Sequence, residues 1–188
     1  MRVSTAGVAA RQPQSCRPMS DWFRVYGFAD VHTELLIGAY PVDADDVAML
    51  AQVGIRRVLN LVEDEEYAPG QRVQVVGSFA DAGIEETRMN LTDYGRLPAD
   101  ALEEAVDLVV GWLREGLRTY VHCRAGWQRS AAVAAGVVAV YDEIDIESAL
   151  ALIRRRKPSA NPLPHQREDL LSWWDARGRS GDGQHEPG

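Results

Sequence analysis

Short apolar runs alternate with stretches of helical spacing along most of the chain. Residues 35–37 and 58–61 read as two buried strands, separated by a helix at 44–52 that Gly54 closes. A second helix is predicted over 70–82, ended by Gly83 in a left-handed cap, then an alternating strand at 84–90 and a polar loop at 91–97. Pro98 is placed as the first residue of a helix, with Leu102, Ala105, Val106, Val109 and Leu113 at core spacing and Gly116 as its stop. Residues 119–122 form a short strand that runs straight into an almost wholly apolar helix at 130–141, and a helix apolar all round is a buried one. Helices at 146–156 and 166–176, joined by a Pro-containing connection, complete the series. Strands alternating with helices imply an α/β fold with a central, mostly parallel sheet of four to five strands flanked by helices.

Outside this series the pattern lapses. Residues 1–20 are small, polar and aperiodic, and residues 178–188 are Gly-rich and polar, so two disordered tails are expected around one domain at 21–177. Met19 is a candidate natural start. A chain of 188 residues suits a single domain. Its net charge of -8 argues against nucleic acid as a partner, because such binders carry a basic footprint, and any anion site must therefore be local. Lys157 is the single lysine, so nearly all positive charge is arginine, the side chain suited to bidentate phosphate contact. Cys16 and Cys123 stand far apart in unlike contexts, which fits a reducing, cytoplasmic setting better than a disulfide framework. No apolar run reaches the roughly 18 residues of a membrane span, and the N-terminus lacks a signal peptide's apolar centre. A monomer without stable membrane association is expected.

The chemistry concentrates in His122-Cys-Arg-Ala-Gly-Trp-Gln-Arg-Ser130, between a buried strand and a buried helix. That placement brings successive backbone N–H groups and a helix N-terminus around one point, an anion cradle. The candidate substrate-binding groups are Arg124, Ala125, Gly126, Trp127 and Gln128, and Gly126 permits the tight turn that makes their amides converge. Cys123 lies at the base, where positive potential favours thiolate and makes the sulfur a nucleophile. Arg129 can grip two phosphate oxygens through its planar fork. The Ser130 hydroxyl can hydrogen-bond the sulfur, and His122 can fix the loop by hydrogen bonding from the strand end.

This string resembles the signature of the protein tyrosine phosphatase superfamily, His-Cys-x-x-Gly-x-x-Arg-Ser/Thr, at all its fixed positions. Such an enzyme needs a proton for its leaving oxygen. The loop Asn90-Leu-Thr-Asp93-Tyr-Gly-Arg supplies Asp93, 30 residues before Cys123, a placement similar to the general-acid loop of dual-specificity phosphatases. Asp100 is its rival, though the helix dipole alone explains an acid in a first turn. Leu35-Leu-Ile-Gly-Ala-Tyr-Pro41, Gly54-Ile-Arg-Arg-Val-Leu-Asn-Leu61 and Arg156-Lys-Pro-Ser-Ala-Asn-Pro162 with Gln166 are also similar to that branch, so the likeness spans roughly residues 30–176.

The resemblance implies a dual-specificity phosphatase-like fold and a phosphomonoester hydrolase that works through a phosphocysteine, with neither cofactor nor metal. Its expected substrate is a phosphorylated protein, tyrosine first. The alternatives are a phosphoinositide or other small phosphomonoester, and, in another class, a non-catalytic phosphate-binding module. Two features leave the substrate open: Gln128 stands where a small serine is common, and Arg124 is the only basic residue added to the motif arginine, where lipid-directed relatives place several. Glu63-Asp-Glu-Glu66 reads as a solvated loop or an attractor of basic substrates. Arg154, Arg155, Arg156 and Lys157 read as a basic last turn or a collector of anionic substrates. Trp173 and Trp174 divide into one core and one surface residue, and His32 and His165 lack partners at metal-site spacing.

Overall fold

The computed structural model describes residues 19–182. Cys16, most of the expected N-terminal tail and residues 183–188 lie outside the described residues. The chain runs α1 (Asp21–Tyr26), β1 (Phe28–His32), β2 (Leu35–Ala39), α2 (Ala44–Gln52), β3 (Arg57–Asn60), a 3-10 turn (Asp64–Glu66), α3 (Gln71–Asp81), β4 (Glu85–Arg88), α4 (Ala99–Arg114), β5 (Thr119–Cys123), α5 (Arg129–Asp142), α6 (Ile146–Arg156) and α7 (Pro164–Asp182).

The strands form one sheet in the order β1-β2-β5-β3-β4, parallel except for β1, which pairs antiparallel with β2 at one edge. Central β5 is buried at every position, as a strand covered on both faces must be. One face packs on α4, α5, α6 and α7, where Val106, Val109, Val133, Val137 and Leu150 share a core with Val121 of β5. The other face packs on α1, α2 and α3 through Phe23, Leu50 and Phe79, with Tyr120 as the strand's contribution. Alternate side chains of β5 thus enter opposite cores, the two-residue period of a strand.

All four predicted strands and all six predicted helices are present. The reading missed α1 and β1. A six-residue helix has too few turns to display a period, and β1 has the mixed burial of an antiparallel edge. Pro98 stands one position before α4, at its N-cap, with an extended ψ of 139°. Helix α7 continues to Asp182, past residue 178 where the Gly-rich composition places a tail. Trp173 is buried and Trp174 half-buried, as expected.

The parallel register fixes where chemistry can sit. Ala39 of β2 and Cys123 of β5 are paired, Asn60 of β3 pairs with His122, and so the C-terminal ends of three neighbouring strands meet at Cys123. Gly38 is what permits the close layering there, since a Cβ on it would lie 2.6 Å from Gly27 O and from Phe28 Cβ. Gly38→Ala is expected to lower the unfolding free energy by about 1–3 kcal/mol, read as a reduced urea midpoint; an unchanged midpoint would show that the layer yields.

Candidate active site

Between the end of β5 and the start of α5 the chain turns at Gly126, whose φ of +72° is left-handed and whose missing Cβ would fall 2.6 Å from Gly38 Cα. The loop carbonyls are tied to the scaffold: Tyr40 N–H donates to Arg124 O at 3.1 Å, and Asn161 N–H to Trp127 O at 2.6 Å. Among the described residues, the amides of residues 124–128 donate to no protein acceptor. With the Arg124 and Trp127 carbonyls spent on the protein and the amides unspent, the loop has the donors that an anion cradle requires.

Cys123 is 3 % exposed and its Sγ lies 3.4 Å from Ser130 Oγ, as the motif anticipates. Arg129 is 1 % exposed. Its Nη1 donates to Glu66 Oε1 and Leu91 O, each at 2.7 Å, and to Leu61 O at 3.2 Å. Its Nη2 reaches Glu66 Oε2 at 2.8 Å and Asp93 Oδ1 at 2.9 Å, while Nε has no protein partner. Burial works against the charge, but the hydrogen-bonded Glu66, with the Cys123 and Asp93 charges, outweighs it and holds the pKa above the ordinary arginine value. Among the described residues Nε is the one guanidinium nitrogen without a partner, and Nη2 on the same side-on edge is held by Asp93, so an oxyanion that takes this edge displaces Asp93.

Glu66 is the principal residue the sequence reading misplaced. The acidic run is not a solvated loop throughout: Asp64 and Glu65 are exposed, and the last member, Glu66, turns inward onto Arg129. A capping box spans the 3-10 turn, with Glu66 Oε1 accepting Glu63 N–H at 3.0 Å. The Glu63 carboxylate in turn accepts Thr92 Oγ1 at 3.0 Å and Asp93 N–H at 3.1 Å. One turn thereby fixes both the guanidinium and the loop that carries Asp93. The far side of that loop is held by α7, through Gln166 Nε2 to Gly95 O at 3.0 Å and Asp169 to Arg96 and the Leu97 amide. The one sequence signal for the clamp was an acidic cluster directly after a parallel strand.

Asp93 is brought into a cleft of about 370 Å³ together with Cys123 and Arg129, whereas Asp100 stays outside it, exposed in the first turn of α4 with its Oδ1 on the Ala101 amide. Arg124, Ala125, Trp127 and Gln128 line the same cleft. So do Trp22 and Tyr26 of α1, which the sequence reading did not consider. Within the basic turn, Arg154 bonds Asn161 and Lys157 is buried with its Nζ on Tyr26 O at 2.8 Å, whereas Arg155 and Arg156 are exposed.

His122 hydrogen-bonds from the strand end through its main chain. Its carbonyl accepts Leu61 N–H at 3.0 Å, while its buried ring, with no side-chain partner among the described residues, has the Cys123 backbone as its polar neighbour. The ring is 1 % exposed, and burial pushes its pKa down to about 3 against a weaker pull from the Cys123 backbone.

Residues 35–176 match the model of the dual specificity phosphatase catalytic domain. A relative in Mus musculus, "Phosphatidylglycerophosphatase and protein-tyrosine phosphatase 1", is 27% identical over 74% of this chain and 71% of its own. The crystal structure of Tk-PTP in the active form superposes with a TM-score of 0.69 at 22% identity, over 78% of this chain and 96% of that one. The crystal structure of PTPMT1 in complex with PI(5)P does so at 0.69 and 21%, over 81% and 98%.

Two outcomes follow from the buried groups. Glu66→Gln removes a charged acceptor from Arg129 and is expected to weaken orthovanadate binding about 10-fold by calorimetry; undiminished affinity would show that the carbonyls suffice. For His122 the native ring stays neutral down to pH about 3, while the unfolded ring takes up a proton near 6.5. Stability is therefore present above the unfolded value and declines on acidification below it, by up to about 1.4 kcal/mol per pH unit. Urea unfolding between pH 6.5 and 4.5 is expected to show a shallower decline in His122→Asn than in the unmodified protein, and equal slopes would contradict a neutral buried ring.

Proposed function

From the premise that the chain belongs to the dual specificity phosphatase catalytic-domain family and is a cysteine-dependent phosphatase, we propose that it hydrolyses phosphotyrosine in proteins through a phosphocysteine on Cys123. The observation that carries this reading is the gathering of three groups around Cys123 at one cleft: Ser130 Oγ at 3.4 Å from the sulfur, Arg129 with its Nε unpartnered among the described residues, and Asp93 held 2.9 Å from that guanidinium.

The substrate phosphoryl group sits on the amides of residues 124–128 and takes the side-on edge of Arg129, drawing Nη2 from Asp93. That release frees the Asp93 carboxyl for the leaving oxygen. The Cys123 thiolate attacks phosphorus, the bond to the leaving oxygen breaks, and Asp93 in its acid form gives that oxygen a proton. Charge on the three equatorial oxygens is met by the amides and the guanidinium, donors already in place before the reaction starts. Water then attacks the phosphocysteine, Asp93 as carboxylate takes its proton, and Ser130 donates a hydrogen bond to the departing sulfur. Inorganic phosphate leaves and the thiolate returns.

A second reading is a phospholipid monoesterase, favoured by the name of the Mus musculus relative and by the PI(5)P bound to PTPMT1. Against it, Arg124 is the only basic side chain that the loop adds to Arg129, and the chain carries a net charge of -8. Anionic lipid surfaces favour basic clusters.

Cys123→Ser is expected to abolish hydrolysis of p-nitrophenyl phosphate in the presence of chelator. Asp93→Ala is expected to lower kcat by about 10²- to 10⁴-fold and to flatten the alkaline limb of the pH profile, with Asp100→Ala within threefold of the unmodified protein, roughly what an exposed surface change produces. The reverse ranking of the two aspartates would overturn the acid assignment. A phosphotyrosyl peptide should outcompete phosphatidylinositol 5-phosphate micelles as substrate; the opposite order would favour the lipid reading.

A further inference from the structure

Among the described residues, two charged side chains are buried away from the chemistry described above. Asp46 is 0 % exposed and Lys157 is 7 % exposed. Burying such groups is costly unless their hydrogen bonds are met, so what they hold is informative. Asp46 accepts Ser20 N–H at 2.9 Å, Ser20 Oγ at 2.7 Å and Val42 N–H at 3.0 Å. Lys157 donates to Tyr26 O at 2.8 Å. Ser20 is the N-cap of α1 and Tyr26 its last residue. A helix of six residues does not persist by itself in water. Here it is pinned at both ends by buried polar groups and in the middle by Phe23, which is 0 % exposed.

What α1 turns toward the cleft is a pair of rings. Trp22 and Tyr26 stand 4.1 Å apart between centroids, and Tyr26 stands 5.3 Å from Trp127 of the catalytic loop. In the other direction Trp22 is 5.4 Å from Tyr40, and Tyr40 is 5.3 Å from Tyr67, the neighbour of Glu66. An unbroken row of rings therefore runs from Tyr67, beside Glu66, to Trp127 of the loop. Trp22, Tyr26 and Trp127 line the cleft beside Cys123, and Tyr94 of the Asp93 loop lines it as well, 67 % exposed with a φ of 57°. Among the lining residues, Arg124 is the only charged one besides Asp93 and Arg129. Ring faces along one wall, above a floor of polar groups that suits the phosphate, fit a flat apolar carrier of phosphate, for which offset or edge-on ring contacts are favourable.

We propose that α1 is the specificity element of this phosphatase: Trp22 and Tyr26, in line with Trp127, receive the aryl ring of a phosphotyrosyl side chain and set its preference over alkyl phosphomonoesters. This rests on the reading of the Cys123 cleft as a phosphotyrosine site. The rings act on the carrier of the phosphate, not on the phosphoryl group, so their effect falls on discrimination rather than on the bond-breaking step.

The test uses the full chain with Cys123→Ser, which binds without turnover, and a matched pair of phosphotyrosyl and phosphoseryl peptides titrated by fluorescence anisotropy. The trap is expected to favour the phosphotyrosyl peptide at least 10-fold. Adding Trp22→Ala or Tyr26→Ala should reduce that ratio about 5- to 10-fold, and Trp22→Phe should restore most of it because a ring remains. An unchanged ratio in both alanine variants overturns the proposal, as does a trap that binds neither peptide. So does a trap that prefers phosphatidylinositol 5-phosphate micelles and loses that preference with Trp22→Ala. Because binding is read on the inactive trap, failure of the phosphocysteine chemistry shows separately, as absent p-nitrophenyl phosphate turnover in the unmodified protein.

Discussion

The buried pair of Arg129 and Glu66 is the interaction on which the site depends. Arg129 is the first residue of α5 and Glu66 the last of the turn after β3, so their bond joins two segments on neighbouring strands across the mouth of the sheet. A guanidinium at 1 % exposure without a carboxylate would be an uncompensated charge, a defect of several kcal/mol. With Glu66 bidentate along one edge, the charge is retained and its direction is set. The same turn reaches the Asp93 loop through Glu63, so the oxyanion clamp and the proposed proton donor share one support. Geometry that a reaction needs to within fractions of an ångström is thus carried by two carboxylates that never meet the reacting atoms.

The parallel sheet makes this economy possible. Crossover connections return β2, β3 and β5 in the same direction, and the segments leaving their C-terminal ends gather over one spot. The close approach of Gly126 to the Gly38 backbone lets the catalytic loop lie directly on β2; a carbon atom on Gly126 would lift the loop away, and one on Gly38 would press instead on Gly27 and Phe28. The family's chemistry is therefore built on main-chain packing as much as on the motif side chains.

The helices and inner strands were legible because their periods are imposed by burial, as in the all-apolar stretch that became α5 and the core-spaced residues of α4. The motif was legible because its chemistry is local: Cys123, the amides, Arg129 and Ser130 need only one strand, one turn and one helix to come together. Asp93 was distinguishable from Asp100 since one belongs to a loop and the other to a helix start. What escaped notice depends on contacts distant in sequence. Glu66 meets Arg129 across 63 positions, and nothing in an acidic run states that its last member turns inward. Helix α1 is held by Asp46 and Lys157, residues from elsewhere in the chain, and so leaves no periodic trace of its own.

The measurement closest to the central claim is direct detection of the covalent intermediate. Rapid acid quench of the protein during turnover of a phosphotyrosyl peptide, followed by peptide mass spectrometry, should find a phosphoryl group on Cys123. Sustained hydrolysis with that cysteine unmodified at every quench time, or a phosphoryl group on another residue, would contradict the account.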